Sequence, residues 1–426
     1  MSEADLDFLY ALKREGIKLD LDVMKELAGG MGNPQEKFKS FHVAGTNGKG
    51  SVACFIFNIL SQRDRVGLYT SPHLVDFNER IMVGREFIPT SYIEDFIHKY
   101  QHLIEELEIA RRNPTFFETT TLMAFLYFAE NNCRYASVEV GLGGRLDSTN
   151  IVIPAVSTIT GIGYDHTDKL GTSLSDIAYE KAGIIKPNVP VVLSDRKPEV
   201  VAIVRKIAAR NNSRLVIPGS DYKVKDLELG IEGTRFTLNS PAGEYHIESE
   251  MIGDFQVNNI ISAIASIEAA SPEGIRVREI ENGIKISRWP ARLELVSRDP
   301  PVVLDCAHNP HAAGALVRNW KTISTEKPVL VTGMLKDKDI MGVMSKLSTL
   351  SEDVIFTTPD EPERASDPEY LQMITRGMFK KTKVIRDPVE AYLAARNMGK
   401  PVLIAGSMYL VGIIKKFEHA DMKPFK

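Results

Sequence analysis

The chain has 426 residues, 43% of them hydrophobic and 25% charged, with a net formal charge of −4. This composition belongs to a folded chain with more than one core and excludes a disordered or fibrous polymer. No Lys/Arg block and no apolar run approaching ~20 residues is present, so neither nucleic acid nor a membrane is expected as a partner. Cys54, Cys133 and Cys306 are odd in number and far apart, which argues against a disulfide framework or a thiolate metal site. The acidic start Met1-Ser2-Glu3-Ala4-Asp5 lacks the basic and apolar parts of a secretory signal. A cytoplasmic enzyme acting on small molecules is the expectation.

The first pattern in the chain is helical, around Leu6, Leu9 and Leu12, and it is followed by the breaker cluster Gly29-Gly30-Met31-Gly32-Asn33-Pro34. Phe41, Val43 and Ala44 then read as the end of a strand, and Val52, Ala53, Phe55, Ile56, Ile59 and Leu60 recur at helical spacing. Between them lies Gly45-Thr46-Asn47-Gly48-Lys49-Gly50-Ser51, a glycine-rich loop at a helix N-terminus. Backbone N–H groups there can turn inward on a polyphosphate, and Lys49 can neutralise its outer charge. An ordinary strand-to-helix turn is the plain alternative. The spacing departs from the standard phosphate loop, because Gly48 follows Gly45 early and Gly50 separates Lys49 from Ser51.

Val66 to Thr70 reads as a second strand, completing a strand-helix-strand unit with parallel pairing. It delivers Ser71 to the carboxyl edge of a sheet, where open α/β sheets meet ligands; a Ser-Pro turn explains it equally well. Thr115-Phe116-Phe117-Glu118 precedes an apolar helix expected from Thr119 to Asn132. Glu118 suits the helix dipole, and the aromatic pair suits either the core or a pocket for a flat ring. Glu139 stands inside the apolar strand Ala136–Val140, where a carboxylate is costly without a cation or a strong donor. Glycines follow it in Gly141-Leu142-Gly143-Gly144, before Arg145-Leu146-Asp147.

A further strand, Ala155 to Ile162, leads to His166 at the same edge. Ser173 and Asp176 have the spacing of a capping box for a helix over Ile177–Ile185, and Lys181 within that helix reads by itself as solvated. Alternating segments at Phe236-Thr237-Leu238 and Tyr245-His246-Ile247 suggest antiparallel hairpins. Asn259 enters an Ala-rich helix over Ile260–Ala270, as a helix-entry residue or a base-recognition amide. After a break between Ser287 and Pro301, strands near Val302–Leu304, Val329–Thr332, Val354–Thr357, Lys383–Ile385 and Val402–Ala405 each precede a helical pattern. That is the mark of a doubly wound second domain.

Gly45–Ser51, Thr70–Leu74 with Asn78–Ile81, Glu139–Asp147, Asp165–Thr167, Glu180–Ile185, Trp289–Glu294 and Asp305–Pro310 occur in an order that resembles the folylpolyglutamate synthase and dihydrofolate synthase family of the Mur ligase superfamily. The resemblance implies an α/β chain with an N-terminal P-loop ATPase-like domain on a mostly parallel sheet and a smaller Rossmann-like C-terminal domain. The division expected is 1–290, a linker at 291–300, and 301–426. It implies an ATP-dependent ligase that activates the carboxylate of a pterin-linked acid as an acyl phosphate and couples it to L-glutamate.

Position by position, the resemblance implies that Asn47, Gly48, Lys49, Gly50 and Ser51 hold the ATP phosphates. It implies that Ser71, Glu139 and His166 bind magnesium, directly or through water, and Lys181 matches a carbamylated lysine that helps position a second metal. Asn259, Arg292 and Asp305 match nucleotide contacts. His308 matches a residue of the C-terminal domain facing the cleft, and Lys49, His166, Lys181 and His308 form the catalytic set. Thr115, Phe116, Phe117 and Glu118, with Leu146, Asp147 and Ser148, resemble pterin-side contacts. Cys306-Ala307-His308-Asn309 stands where the family often has Gly-Ala-His-Asn. A monomer is expected. The rival readings are a P-loop phosphotransferase, such as a nucleotide kinase, and an ATP-binding regulatory protein.

Overall fold

The computed structural model describes Leu9, Leu12, residues 20–109 and residues 114–421; Leu6 and the chain start, part of the expected leader pattern, lie outside the described residues. By contact the chain forms two compact units. One comprises residues 1–225, 236–247 and 258–287, and the other 226–235, 248–257 and 288–426. The second therefore begins close to the expected break but also takes two short segments from within residues 1–290.

The first unit is built on an eight-stranded sheet. Its strands are β1 (Lys39–Ala44), β2 (Val66–Tyr69), β3 (Ile81–Val83), β4 (Glu86–Phe87), β5 (Tyr135–Glu139), β6 (Val156–Ile159), β7 (Val191–Leu193) and β8 (Leu215–Val216). They lie in the order β4-β3-β2-β5-β1-β6-β7-β8. From β2 to β8 every pair is parallel, and β3 and β4 add an antiparallel edge. The expectation that β1 and β2 pair is corrected: β5 lies between them, so the crossover helix Lys49–Leu60 spans one strand position. An insertion that returns later in the chain fills a gap that sequence adjacency does not show.

Burial explains why the central strands are apolar without alternation. β1, β2, β5 and β6 are covered on both faces, and Phe41, Val43, Val66, Val138, Val156 and Ile159 are all buried. Nine of the twelve residues of the helix Lys49–Leu60 are buried, so it carries little amphipathic signal and is an interior helix. The helix expected over Thr119–Asn132 runs from Phe116 to Glu130, and that over Ile177–Ile185 runs from Leu174 to Ala182. Both begin earlier because Thr115 and Ser173 form capping boxes with Glu118 and Asp176.

A small sheet contains β9 (Lys223–Gly230), β10 (Gly233–Ser240) and β11 (Gly243–Ser249) in the order β11-β10-β9. Its two-residue connections allow only antiparallel pairing, as the hairpin pattern predicts.

The second unit holds a six-stranded sheet of β12 (Glu294–Arg298), β13 (Pro301–Leu304), β14 (Val329–Thr332), β15 (Asp353–Phe356), β16 (Lys381–Val384) and β17 (Val402–Ala405). Their order is β12-β13-β17-β14-β15-β16. The five expected strands are parallel, and the reversal of order around β13, β17 and β14 is that of a doubly wound sheet. β12, unexpected from the sequence, pairs antiparallel with β13 through an irregularity between Leu295 and Ser297. Its residues are mostly half-buried, which masks a strand alternation.

Candidate active site

Four neighbouring parallel strands, β2, β5, β1 and β6, end at one edge of the first sheet, and their carboxyl-end loops carry the candidate residues. Ser71 follows β2, Glu139 ends β5, Gly45–Ser51 follows β1 and His166 follows β6. Register places Val43 of β1 beside Glu139. This is the edge at which an open α/β sheet meets its ligands.

The glycine loop is braced from below. Thr46 and Asn47 donate their N–H groups to Gly161 O at 2.9 and 3.3 Å. The Thr46 hydroxyl lies 3.1 Å from Gly163 O and accepts the Gly163 N–H at 3.0 Å. Thr160 donates to Asn47 O at 2.8 Å. Two glycines are demanded by geometry. Gly45 has φ 151, and a Cβ there would lie 1.8 Å from Thr160 Oγ1; Gly48 has φ 90, and its Cβ would lie 2.4 Å from Asn259 Oδ1. The helix expected from Ile260 begins at Asp254, so Asn259 is no helix-entry residue but stands in the second turn, packed on the loop. Lys49 is half-buried in the first helical turn with Nζ 3.5 Å from Thr46 O, and Ser51, two residues on in the same turn, is buried.

Lys181 is not solvated. It is 5% exposed and donates from Nζ to Gly45 O at 2.8 Å, tying its helix to the loop. Burial first, and then the charge of Lys49, lower its pKa from 10.5 to about 7. The signal available in the sequence was weak: Ala182 and Gly183 follow it, small residues that let the helix end approach neighbouring backbone.

Glu139 is also 5% exposed and accepts the Ser71 N–H on Oε2 at 3.2 Å. His166 adopts φ 50 at the entry to the short helix Thr167–Leu170, and its half-exposed ring lies 3.8 Å from Asp165 Oδ1.

The acid-side candidates divide by role. Thr115 and Glu118 occupy each other: the Thr115 N–H donates to Glu118 Oε2 at 2.7 Å and the Glu118 N–H to Thr115 Oγ1 at 3.2 Å. Phe116 belongs to the core, with the Arg80 guanidinium 5.2 Å from its ring centroid. Phe117 is half-buried, 5.9 Å from the Tyr69 ring, and Leu146 is half-buried beside buried Asp147 and Ser148. Asp147 accepts N–H groups from Leu142 at 2.8 Å and Thr149 at 3.0 Å. Burial raises its pKa, and these donors oppose the rise. Sequence reasoning passed over Thr46, Thr160 and Thr149, whose hydroxyls hold these loops and which a pattern search reads as spacers.

In the second unit, Asp305 is buried with both oxygens engaged. Oδ2 accepts the Leu293 N–H and Oδ1 the Ala307 N–H, each at 2.8 Å. Burial raises its pKa, against the pull of nearby Arg292. Asp305 thereby fixes the turn that carries Arg292, whose Nη1 donates to Ala291 O at 3.1 Å. His308 Nδ1 sits 2.9 Å from Cys306 O, and Asn309 caps the helix Pro310–Asn319.

Residues 43–267 match the Mur ligase middle domain and residues 291–408 the Mur ligase glutamate ligase domain. The dihydrofolate synthase/folylpolyglutamate synthase of Bacillus subtilis is 34% identical over 96% of this chain and 97% of its own length. The crystal structure of folylpolyglutamate synthase from Thermotoga maritima superposes with a TM-score of 0.88 at 36% identity, covering 98% of this chain and 97% of that one. Escherichia coli FolC in complex with DHPP and ADP gives a TM-score of 0.85 at 29% identity, with 98% of both chains covered. With the braced glycine loop, the buried carboxylate at the same edge and the second doubly wound sheet, these findings establish that the chain belongs to the folylpolyglutamate synthase and dihydrofolate synthase family of Mur ligases and is an ATP-dependent ligase.

Proposed function

We propose that the chain uses ATP to activate the carboxylate of a pterin-linked acid, of the dihydropteroate or folyl-glutamate class, and couples it to L-glutamate, releasing ADP and phosphate. The observation that carries this reading is the convergence of the glycine loop, Lys49, buried Lys181 and buried Glu139 on one sheet edge. A relative of the same fold is described with DHPP and ADP together.

A carboxylate accepts no amine at neutral pH until one oxygen becomes a leaving group. In the proposed step an acid oxygen attacks the γ-phosphorus, the bond to the bridging oxygen breaks and ADP departs. The glutamate amine then attacks the acyl carbon, loses a proton, and the carbon–oxygen bond to phosphate breaks to leave an amide. The chain's part is placement and charge neutralisation. Asn47 to Ser51 hold the phosphates, with the backbone N–H groups of Gly48 to Ser51 as the donors, and Lys49 offsets the charge that gathers on them. Asn259, Arg292 and Asp305 serve the nucleotide, with Asp305 acting through the turn it clamps. Phe117, Leu146, Asp147 and Ser148 face the acid, Thr115, Phe116 and Glu118 support that side from the helix start, and His308 serves the glutamate side. A two-domain division near residues 291–300 and a monomeric state complete the reading.

Ser71 and Glu139 offer hard oxygen donors, with His166 as a further ligand directly or through water. Among the described residues no three His, Cys, Asp or Glu side chains gather into a protein-only cage. That donor set suits magnesium, which takes one or two carboxylates and completes its shell with phosphate oxygens and water. Magnesium when bound supplies charge neutralisation to the transferring phosphoryl group.

Lys181 fits the carbamate reading. An amine lowered to about 7 holds a substantial neutral fraction at physiological pH, and the neutral nitrogen is what adds to carbon dioxide, forming an N–C bond and releasing one proton. The remaining N–H can keep its bond to Gly45 O, while the new carboxylate would be an oxygen donor for a second magnesium ion.

The test offers dihydropteroate and tetrahydrofolate separately, with ATP and glutamate, and weighs the products by mass spectrometry. One added glutamyl residue per ADP formed supports the reading. ADP with a phosphorylated acceptor, or ADP with no glutamate consumed, would favour the phosphotransferase or the ATP switch.

A further inference from the structure

We propose that His42 and Thr149 are positioning residues, which hold the Asp147 carboxylate, and through it the acid-side loop after β5, by a one-directional chain of hydrogen bonds from β1. The inference rests on the reading above that Asp147 belongs to the acid side of the site.

His42 is wholly buried in β1, with Nε2 2.8 Å from Thr149 Oγ1. The Thr149 hydroxyl in turn donates to Asp147 Oδ1. A hydroxyl has a single proton. Thr149 spends it on Asp147, so its oxygen must accept from His42, and the ring proton is therefore on Nε2. His42 Nδ1 is buried and has no hydrogen-bond partner among the described residues.

That last fact gives the chain its direction. Were Asp147 to carry a proton toward Thr149, the Thr149 hydroxyl would turn toward Nε2, and the ring proton would move to Nδ1. A buried N–H would then face no acceptor, which costs the desolvation of that group. The favourable arrangement ends on a carboxylate whose lone pairs accept. The ring environment agrees, since burial, aided by the charge of Lys186, brings His42 down to about 3 and leaves it neutral with one ring proton. His42 also lies three residues before Gly45. One strand therefore both delivers the nucleotide loop and braces the acid-side loop.

The test is a variant series with a spectroscopic arm. Thr149→Val keeps the shape and removes the proton donor. We expect the KM for the acid to rise about tenfold, the size of a lost hydrogen bond to a charged group, with kcat and the KM for ATP within about twofold. Thr149→Ser should restore the acid KM. His42→Leu should raise the same KM by a smaller factor. Nitrogen-15 spectra of the unmodified protein should show His42 protonated on Nε2 and not on Nδ1, a readout that requires no variant to fold. A proton on Nδ1, or an unchanged acid KM in Thr149→Val beside a raised one in Asp147→Asn, overturns the proposal alone. An unchanged acid KM in Asp147→Asn overturns the acid-side reading and the proposal with it.

Discussion

Lys181 in the first unit and Asp305 in the second are both ionisable groups buried near the carboxyl edge of a parallel sheet, yet the two are held in opposite ways. Asp305 has a backbone N–H on each oxygen, so its charge is answered by the fold and its task is to shape the Arg292 turn. Lys181 has one bond, to a carbonyl of the glycine loop, and a pKa brought down to about 7. Its charge is answered only in part, which leaves the nitrogen available for chemistry. Of these two, the group that the fold leaves incompletely satisfied is the one poised beside the glycine loop, and the one with a backbone donor on each oxygen shapes a turn.

The largest effect that could break this contrast is in the loop itself. Lys49→Met should lower kcat about 10³-fold, the scale for removing a preorganised charge from phosphoryl transfer, with an unchanged far-ultraviolet dichroism spectrum. Lys181→Met should lower kcat about 10²-fold. It should also change the pH dependence of stability. The unfolded lysine binds its proton up to about 10.5 and the folded one only to about 7, so the unfolded state holds more protons between those values. With carbon dioxide excluded so that the amine stays unmodified, stability of the parent relative to Lys181→Met should therefore climb as pH rises from 7 toward 10.5 and stay level below 7, as read by urea midpoints. A parallel pair of curves would show that Lys181 is not buried as a neutral amine.

Asp305→Asn should act on the other side of the comparison. It places an NH2 against one backbone N–H and costs about 2 kcal/mol of stability, with the KM for ATP moving more than kcat if Arg292 shifts. Thr115→Ala should be the mildest, about 1 kcal/mol for a lost helix cap. The thermal midpoint falls, and the acid KM stays within about twofold if the Thr115 side chain serves the helix and not the substrate.

Much of this was legible before the fold was known, because the residues concerned obey local rules. The glycine loop lies between a strand and a helix, and its glycines occupy backbone that side chains would strain. Glu139 was conspicuous as a carboxylate in an apolar strand, and Ser173 with Asp176 announced a cap. What stayed hidden depends on partners distant in sequence. The insertion of β5 between β1 and β2, the antiparallel β12, the burial of Lys181 and the link of His42 to Thr149 across 107 positions have no local period to betray them. Lys181 looked solvated because helical neighbours carry no record of the loop packed above them.

The central claim is the transfer of a phosphoryl group to the acid before the amide forms, and isotope transfer tests it most directly. With oxygen-18 in the acid carboxylate, unlabelled ATP and glutamate, one labelled oxygen should appear in each inorganic phosphate released, and the amide product should retain the other. Unlabelled phosphate accompanying glutamate coupling would contradict an acyl phosphate and require another route of activation.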